Sequence, residues 1–186
     1  DVNAGEIARL ELGLANVGFE RTRDGYFIGS NVAENLKILR RETNMDEVNI
    51  RGSSIARRVR WKQLMAQHLG QIDVTLAKDF EGDHFDVYSK TERAGGRTLC
   101  GHWENETEYA PGWTTPFFPS GTIDAKVVDT AMAKRMTFAA RWGSGCGLAF
   151  DAQKFLQEQP QFDWLEGLLK TRPSEPWVEF TAGETK

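Results

Sequence analysis

Side chains that can do chemistry are concentrated in one predicted β-hairpin. Polar and apolar residues alternate along His84–Lys90 and again along Arg97–Glu104, which predicts two antiparallel strands with a turn centred on Ala94. In this register Asp86 lies opposite His102. A slip by one residue would place large apolar side chains on the polar face, so the pattern favours this register. The face with the ionisable side chains comprises His84, Asp86, Tyr88, Cys100, His102 and Glu104.

A thiol hydrolase is the first chemistry that this face predicts. Directly opposed side chains have Cβ atoms about 5 Å apart, so Asp86 would orient and charge-stabilise His102. Cys100 lies two residues from His102, on the same side of the predicted strand. A nucleophile, a base and an orienting carboxylate are the components of a Cys-His-Asp hydrolase. Asp86, Cys100 and His102 are therefore candidate catalytic residues.

A divalent metal site is the second chemistry that this face predicts. The imidazoles and carboxylates of His84, Asp86, His102 and Glu104 can converge on an ion such as iron, manganese or zinc. No other cofactor is predicted. A third interpretation needs neither metal nor catalysis, because antiparallel sheets often have one solvated face on which opposite charges pair. The sequence leaves these three interpretations open.

The second cysteine, Cys146, lies in the stretch Gly-Ser-Gly-Cys-Gly ahead of a predicted helix. A thiol at a helix N-terminus has a lowered pKa, which makes Cys146 an alternative catalytic nucleophile. A small buried residue at a tight turn is the structural alternative. Cys100 and Cys146 lack the C-x-x-C spacing of zinc fingers and are too few for a disulfide framework. Two reduced thiols are therefore favoured over a single bridge in a secreted protein.

Positive charge is concentrated between Lys37 and Leu69, where eight basic residues stand against three acidic ones, although the whole chain has a net charge of −4. Ser54–Leu69 has the period of an amphipathic helix and presents a row of cationic side chains. Such a row can contact nucleic-acid phosphates or an acidic protein surface, and a solvated face without a partner is the alternative. The candidate binding residues are Arg57, Arg58, Arg60, Trp61 and Lys62.

The uncharged segment Tyr109–Ile123 is predicted to be a long ordered loop that contains three of the six prolines. Its aromatic side chains Trp113, Phe117 and Phe118 are further candidate binding residues. They can line a ligand pocket, pack on the same domain, or contact a protein partner or a second copy. Self-association through this loop is favoured over a role as a lid that covers a ligand pocket.

These surfaces are predicted to belong to a single α+β domain. The chain has 186 residues, 40% hydrophobic and 27% charged, which is typical of one soluble domain, and no signal peptide or membrane-spanning segment is visible. Ile7, Leu10 and Leu14 fall on one helical stripe, whereas Ile72–Ala77 alternates and predicts the first of about four to five antiparallel strands. The expected regions are N-terminal helices (1–70), an antiparallel β-rich region (71–150) and C-terminal helices (151–186).

Motifs for nucleotide binding, the G-x-S-x-G elbow and the H-E-x-x-H zinc motif do not occur in the sequence. The leading hypothesis is a non-enzymatic binding or assembly module that contacts an anionic partner, either an acidic protein surface or a nucleic acid, through the basic helix. The first alternative is a metal-dependent or Cys/His-dependent hydrolase at the hairpin, and the second is a small-ligand carrier. No membrane partner is predicted, and the expected location is the cytoplasm.

Overall fold

The computed structural model of the protein describes residues 1, 3–23, 25–42, 50–93, 96–101 and 125–183. The strands in these residues are β1 (Ile7–Leu12), β2 (Val17–Thr22), β3 (Phe85–Asp86), β4 (Thr91–Glu92), β5 (Ala125–Val127), β6 (Thr137–Arg141) and β7 (Val178–Thr181). The helices are α1 (Leu36–Glu42), α2 (Ser53–Gln67), α3 (Val74–Glu81), α4 (Thr130–Lys134), α5 (Ala152–Glu158) and a 3-10 helix (Pro160–Leu165).

Helices and small antiparallel sheets occur together, so the α+β class is confirmed. The expectation of one sheet with four to five strands is wrong for the described residues. They form a two-stranded sheet β1–β2, a two-stranded sheet β3–β4 and a three-stranded sheet in the order β5–β6–β7. All of the paired strands are antiparallel.

The first predicted helix is instead a β-hairpin. Strand β1 pairs with β2 so that Leu10 lies opposite Phe19, and the amide of Gly13 donates to the carbonyl of Asn16 (2.8 Å) to close the turn. Charged residues alternate with leucines along β1, and Arg9 is joined across the strands to Glu20 (2.6 Å). The period of two therefore prevails over the helical stripe in this segment.

The predicted pairing of the hairpin around Ala94 is also wrong. Asp86 pairs with Thr91, and the chain reverses between β3 and β4, well before Ala94. The Asp86 carboxylate accepts hydrogen bonds from the backbone amides of Tyr88 (2.8 Å) and Ser89 (3.3 Å). An aspartate that bonds the amides two and three residues ahead stabilises a turn directly after itself.

Local capping signals account for several boundaries. The sequence predicts a helix that starts at Ser53 or Ser54 and a strand over 136–142. Helix α2 begins at Ser53 and strand β6 lies within 136–142, so both predictions are confirmed. The sequence also predicts a helix that Asp151 opens, and Asp151 caps α5 by accepting from the amide of Gln153 (3.0 Å). The strand predicted over 72–77 is wrong, because Asp73 accepts from the amide of Leu76 (2.8 Å) and starts α3.

In the described part of the chain, a buried cluster joins Val32, Leu39 and Ile55, so it packs α1 and the preceding segment against α2. Ala33, Ile50 and Val59 surround this cluster and are partly buried. Among the described residues, no helix has the length and apolar composition needed to cross a membrane.

Candidate metal centre

His84, Cys100 and Cys146 converge on one point in the structure. Their potential ligand atoms all lie within 4.8 Å of one another. Cys100 is buried, with 4% of its surface exposed, whereas His84 and Cys146 are half-buried. No disulfide joins the two cysteines. One imidazole and two thiols thus share a partly enclosed position.

His84 and Cys100 are held together through the segment that follows α3. The backbone amide of Cys100 donates to the carbonyl of Asp83 (3.0 Å), directly before His84. The Asp83 carboxylate is joined to Arg60 of α2 (2.6 Å), and both side chains are mostly buried. The hydroxyl of Ser53, at the start of α2, donates to the carbonyl of Gly96. Helix α2 therefore anchors both segments that carry these two side chains.

Cys146 is carried by a glycine-rich turn that packs closely on the end of α3. Gly145 lies against the backbone carbonyl of Glu81, so that even a Cβ atom would not fit there. The guanidinium of Arg141 donates to the carbonyl of Gly145 (2.7 Å) and fixes the other side of the turn. Gly147 has a φ of 73°, a conformation that favours glycine. This turn positions Cys146 beside Cys100, although the two residues are 46 positions apart.

Backbone amides point at both sulfur atoms. The amide of Cys146 donates to Sγ of Cys100 (3.4 Å), and the amide of Leu148 donates to Sγ of Cys146 (3.4 Å). The hydroxyl of Ser144 lies 3.5 Å from the same Cys146 sulfur. Hydrogen bonds to sulfur stabilise thiolate charge and tune metal centres. These amide hydrogen bonds therefore favour the thiolate form that a bound cation requires.

The side-chain hydrogen bond with Cys146 raises the pKa of the Cys100 thiol, and burial raises it further. Cys100 is therefore a protonated thiol when no cation is present. A bound metal ion reverses this preference, because a coordinating thiol is deprotonated outright.

Asp86 does not join this cluster. Its side chain is fully buried and is engaged by the guanidinium groups of Arg97 (2.9 Å) and Arg93 (3.2 Å). Burial raises the pKa of Asp86, but hydrogen bonds from Tyr88, Arg97 and Ser89 outweigh it and leave the pKa below its usual value. The exposed polar face predicted for Asp86 is therefore replaced by a buried ion-pair network. The predicted site residues His102 and Glu104 lie outside the described residues.

The cationic side chains of α2 contact groups of the same chain. Arg58 forms an ion pair with Glu34, and each side chain is 11% exposed. Lys62 approaches the same Glu34 carboxylate (3.5 Å) and is 47% exposed. Arg57 donates to the side chain of Asn31 (3.0 Å), and Arg60 is paired with Asp83, as described above. Because these cationic side chains contact groups of the same chain, the structure supports the predicted anionic partner less than the sequence does.

The aromatic candidates add little to that binding hypothesis. Trp61 is half-buried and makes an edge contact with Phe80 of α3, with ring centroids 6.1 Å apart. Trp61 is therefore used for packing between helices. Trp113, Phe117 and Phe118 lie outside the described residues, so their predicted binding role stays a prediction.

The sequence predicts His84 and Cys100 on one face of a hairpin but does not place Cys146 with them. It predicts His84 as a metal ligand, and Cys100 and Cys146 only as nucleophiles. The available signal was the glycine spacing around Cys146, which indicates a turn with close backbone contacts. Comparisons with protein-family models, curated proteins and solved structures give no match. Function must therefore be inferred from the site.

Gly145→Ala is expected to lower the free energy of unfolding by about 1–3 kcal/mol, as overpacking of a close contact does. The added Cβ would collide with backbone atoms of Glu81, which cannot rotate away. Urea unfolding measures the loss. The matched control is Gly29→Ala, because nothing lies within 4 Å of a Cβ at that position. Equal losses in the two variants would show that the Gly145 turn is not tightly packed.

Proposed function

We propose that the protein is a zinc-binding protein in which His84, Cys100 and Cys146 hold one Zn²⁺ ion. The observation that carries this proposal is the convergence of the three ligand atoms within 4.8 Å. Two thiolates and an imidazole form a donor set that suits zinc, whereas magnesium, calcium and manganese prefer oxygen ligands. The sequence alone allows iron, manganese or zinc, and the two thiolates favour zinc among these three metals.

The spacing of the ligand atoms is compatible with a tetrahedral ion. With Zn–S bonds of about 2.3 Å and Zn–N bonds of about 2.0–2.1 Å, neighbouring ligand atoms are roughly 3.3–3.8 Å apart. The separations in the structure reach at most 4.8 Å, so shifts of about 1 Å suffice to close the site. Side-chain rotation of His84 and Cys146, which are half-buried, supplies shifts of this size.

The proposed ion has a structural role, because it ties together three segments that are far apart in sequence. His84 follows α3, Cys100 lies in the turn after Arg97, and Cys146 follows β6. A cation at this point links α3 to the three-stranded sheet. Structural zinc contributes directly to the free energy of folding, since the unfolded chain offers no preformed site.

The fourth position of the ion distinguishes the structural role from the metal-dependent hydrolase that the sequence also predicts. Structural sites have a fourth protein ligand, whereas catalytic sites keep a water there. The sequence predicts His102 as a metal ligand in a set with His84, Asp86 and Glu104, and we therefore test it for this position. If His102→Ala lowers the zinc affinity, the site is closed and structural, as proposed. If the affinity is unchanged, an open position favours the hydrolase.

A competition titration of Zn²⁺ against a chromophoric chelator tests the proposal. We expect one ion per chain, and His84→Ala should lower the affinity more than about 100-fold, the upper end of what second-shell changes cause. The matched control is His68→Ala, which also removes an imidazole but at a residue outside the cluster. The His68 ring packs on Phe80, with ring centroids 5.5 Å apart. The proposal would be refuted if the protein did not bind zinc or if the two variants had equal affinities. It would also be refuted if the purified protein contained a Cys100–Cys146 disulfide.

A further inference from the structure

The β1–β2 hairpin is turned with its apolar face outward. The side chains of Leu10, Leu12, Val17 and Phe19 are all exposed, and cross-strand pairing places Leu10 opposite Phe19 and Leu12 opposite Val17. On the opposite face of the same strands, Arg9, Glu11 and Glu20 are less exposed. A half-buried strand normally has the reverse arrangement, with its apolar residues toward the protein.

Ionic contacts fix this orientation. Arg9 is joined to Glu20 on the neighbouring strand (2.6 Å) and to Glu11 on its own strand (3.2 Å). The Glu11 carboxylate accepts hydrogen bonds from the backbone amides of Glu34 (3.0 Å) and Asn35 (2.7 Å), directly before α1. A slip by one residue would break all of these contacts, because it exchanges the two faces of a strand. The outward direction of the apolar face is therefore built into the fold.

The exposed area matches that of a protein interface. The exposed fractions of these four residues range from 55% to 72%, and that of Leu14 in the turn is 103%. Together the five side chains present on the order of 500 Å² of apolar surface, at the upper end of patches on monomeric proteins. A specific interface buries about 800 Å² per partner, of which roughly 60% is non-polar. One apolar hairpin face thus supplies the non-polar part of one side of such an interface.

We propose that this face packs against the same face of a second copy in a two-fold symmetric dimer. None of its five residues is charged, and Arg21, whose guanidinium lies 5.0 Å from the centre of the Phe19 ring, is paired with Glu6 (3.7 Å). The face therefore does not select an acidic or a basic partner, and a second apolar face of the same kind is a suitable partner for it. Two antiparallel sheets pack face to face about 10 Å apart, with their side chains interdigitated. Homodimers with one shared patch are the commonest symmetric assemblies. This proposal is independent of the zinc site.

Sedimentation velocity of the full chain tests the dimer. We expect the wild type at micromolar concentration to sediment with twice the chain mass of 21.0 kDa. Leu12→Lys and Val17→Lys should each weaken the dimer at least about 30-fold, since a charge would be placed in the centre of the interface. The matched control is Leu168→Lys, at a leucine that is 70% exposed outside the hairpin and should leave the dimer intact.

Circular dichroism separates dissociation from unfolding, because lysine at an exposed position should leave the folded monomer intact. A monomeric wild type would overturn the proposal. A wild-type dimer that persists in both hairpin variants would overturn it as well, as would equal dissociation in the control.

Discussion

Cys100→Ser is expected to lower the affinity for Zn²⁺ more than about 100-fold, because it removes a proposed ligand and not merely a neighbour of one. Cys100 is the most buried member of the cluster, and its sulfur accepts the amide hydrogen bond of Cys146 (3.4 Å). Serine keeps a similar size but offers a neutral hydroxyl in place of a soft thiolate. The same loss is expected for Cys146→Ser.

Unfolding experiments with and without zinc measure this loss as a change in stability. For the wild type, free Zn²⁺ at 100 times its dissociation constant should raise the free energy of unfolding by about 2.7 kcal/mol, because the ion binds the folded chain. For Cys100→Ser the same concentration should have almost no effect. The control is Ser144→Ala, which removes a hydroxyl 3.5 Å from the Cys146 sulfur but no proposed ligand. If Cys100→Ser retained the zinc-dependent stabilisation, Cys100 would not be a ligand.

Asp86→Asn is expected to lower the free energy of unfolding by about 3–5 kcal/mol, the usual loss when one partner of a buried ion pair is removed. Asp86 is 0% exposed and Arg97 is 3% exposed, so the guanidinium would lose its charge partner inside the protein. The amide of asparagine still fills the space but cannot neutralise Arg97. The loss is larger than those expected from changes at the surface.

Urea unfolding at neutral pH measures the effect, and Asp163→Asn is the matched control. Asp163 is exposed in the 3-10 helix, so its replacement should change the free energy of unfolding by less than about 0.5 kcal/mol. A second readout is zinc affinity. Arg97 holds the turn that leads to Cys100, and Asp86→Asn should weaken zinc binding as well. Equal unfolding curves for the two variants would show that the Asp86 network is not important for stability.

The fold could be predicted where one local signal dominates. Asp151 caps α5, and Ser53 begins α2, as the sequence indicates. The N-terminal hairpin could not be predicted in this way, because Ile7, Leu10 and Leu14 also fit a helical stripe. The usual criterion, that the apolar face is buried, fails for a hairpin that exposes its leucines. Tertiary contacts such as that of Arg9 with Glu20 decide the structure there.

The site could be predicted in its residue types but not in its assembly. The alternation around Asp86 resembles a long hairpin, yet the Asp86 side chain makes an early turn and then binds Arg97, which lies 11 positions ahead. Cys146 approaches Cys100 across 46 positions through packing of Gly145 on Glu81. No period within either segment encodes such a long-range contact, so only the folded chain reveals it.

X-ray absorption at the zinc edge of the zinc-loaded protein tests the central claim most directly. The proposed site predicts two sulfur neighbours at about 2.3 Å and at least one nitrogen neighbour at about 2.0–2.1 Å. Loss of one sulfur neighbour is expected in either cysteine-to-serine variant. A spectrum with only oxygen and nitrogen neighbours would show that zinc binds elsewhere and would contradict a centre built from His84, Cys100 and Cys146.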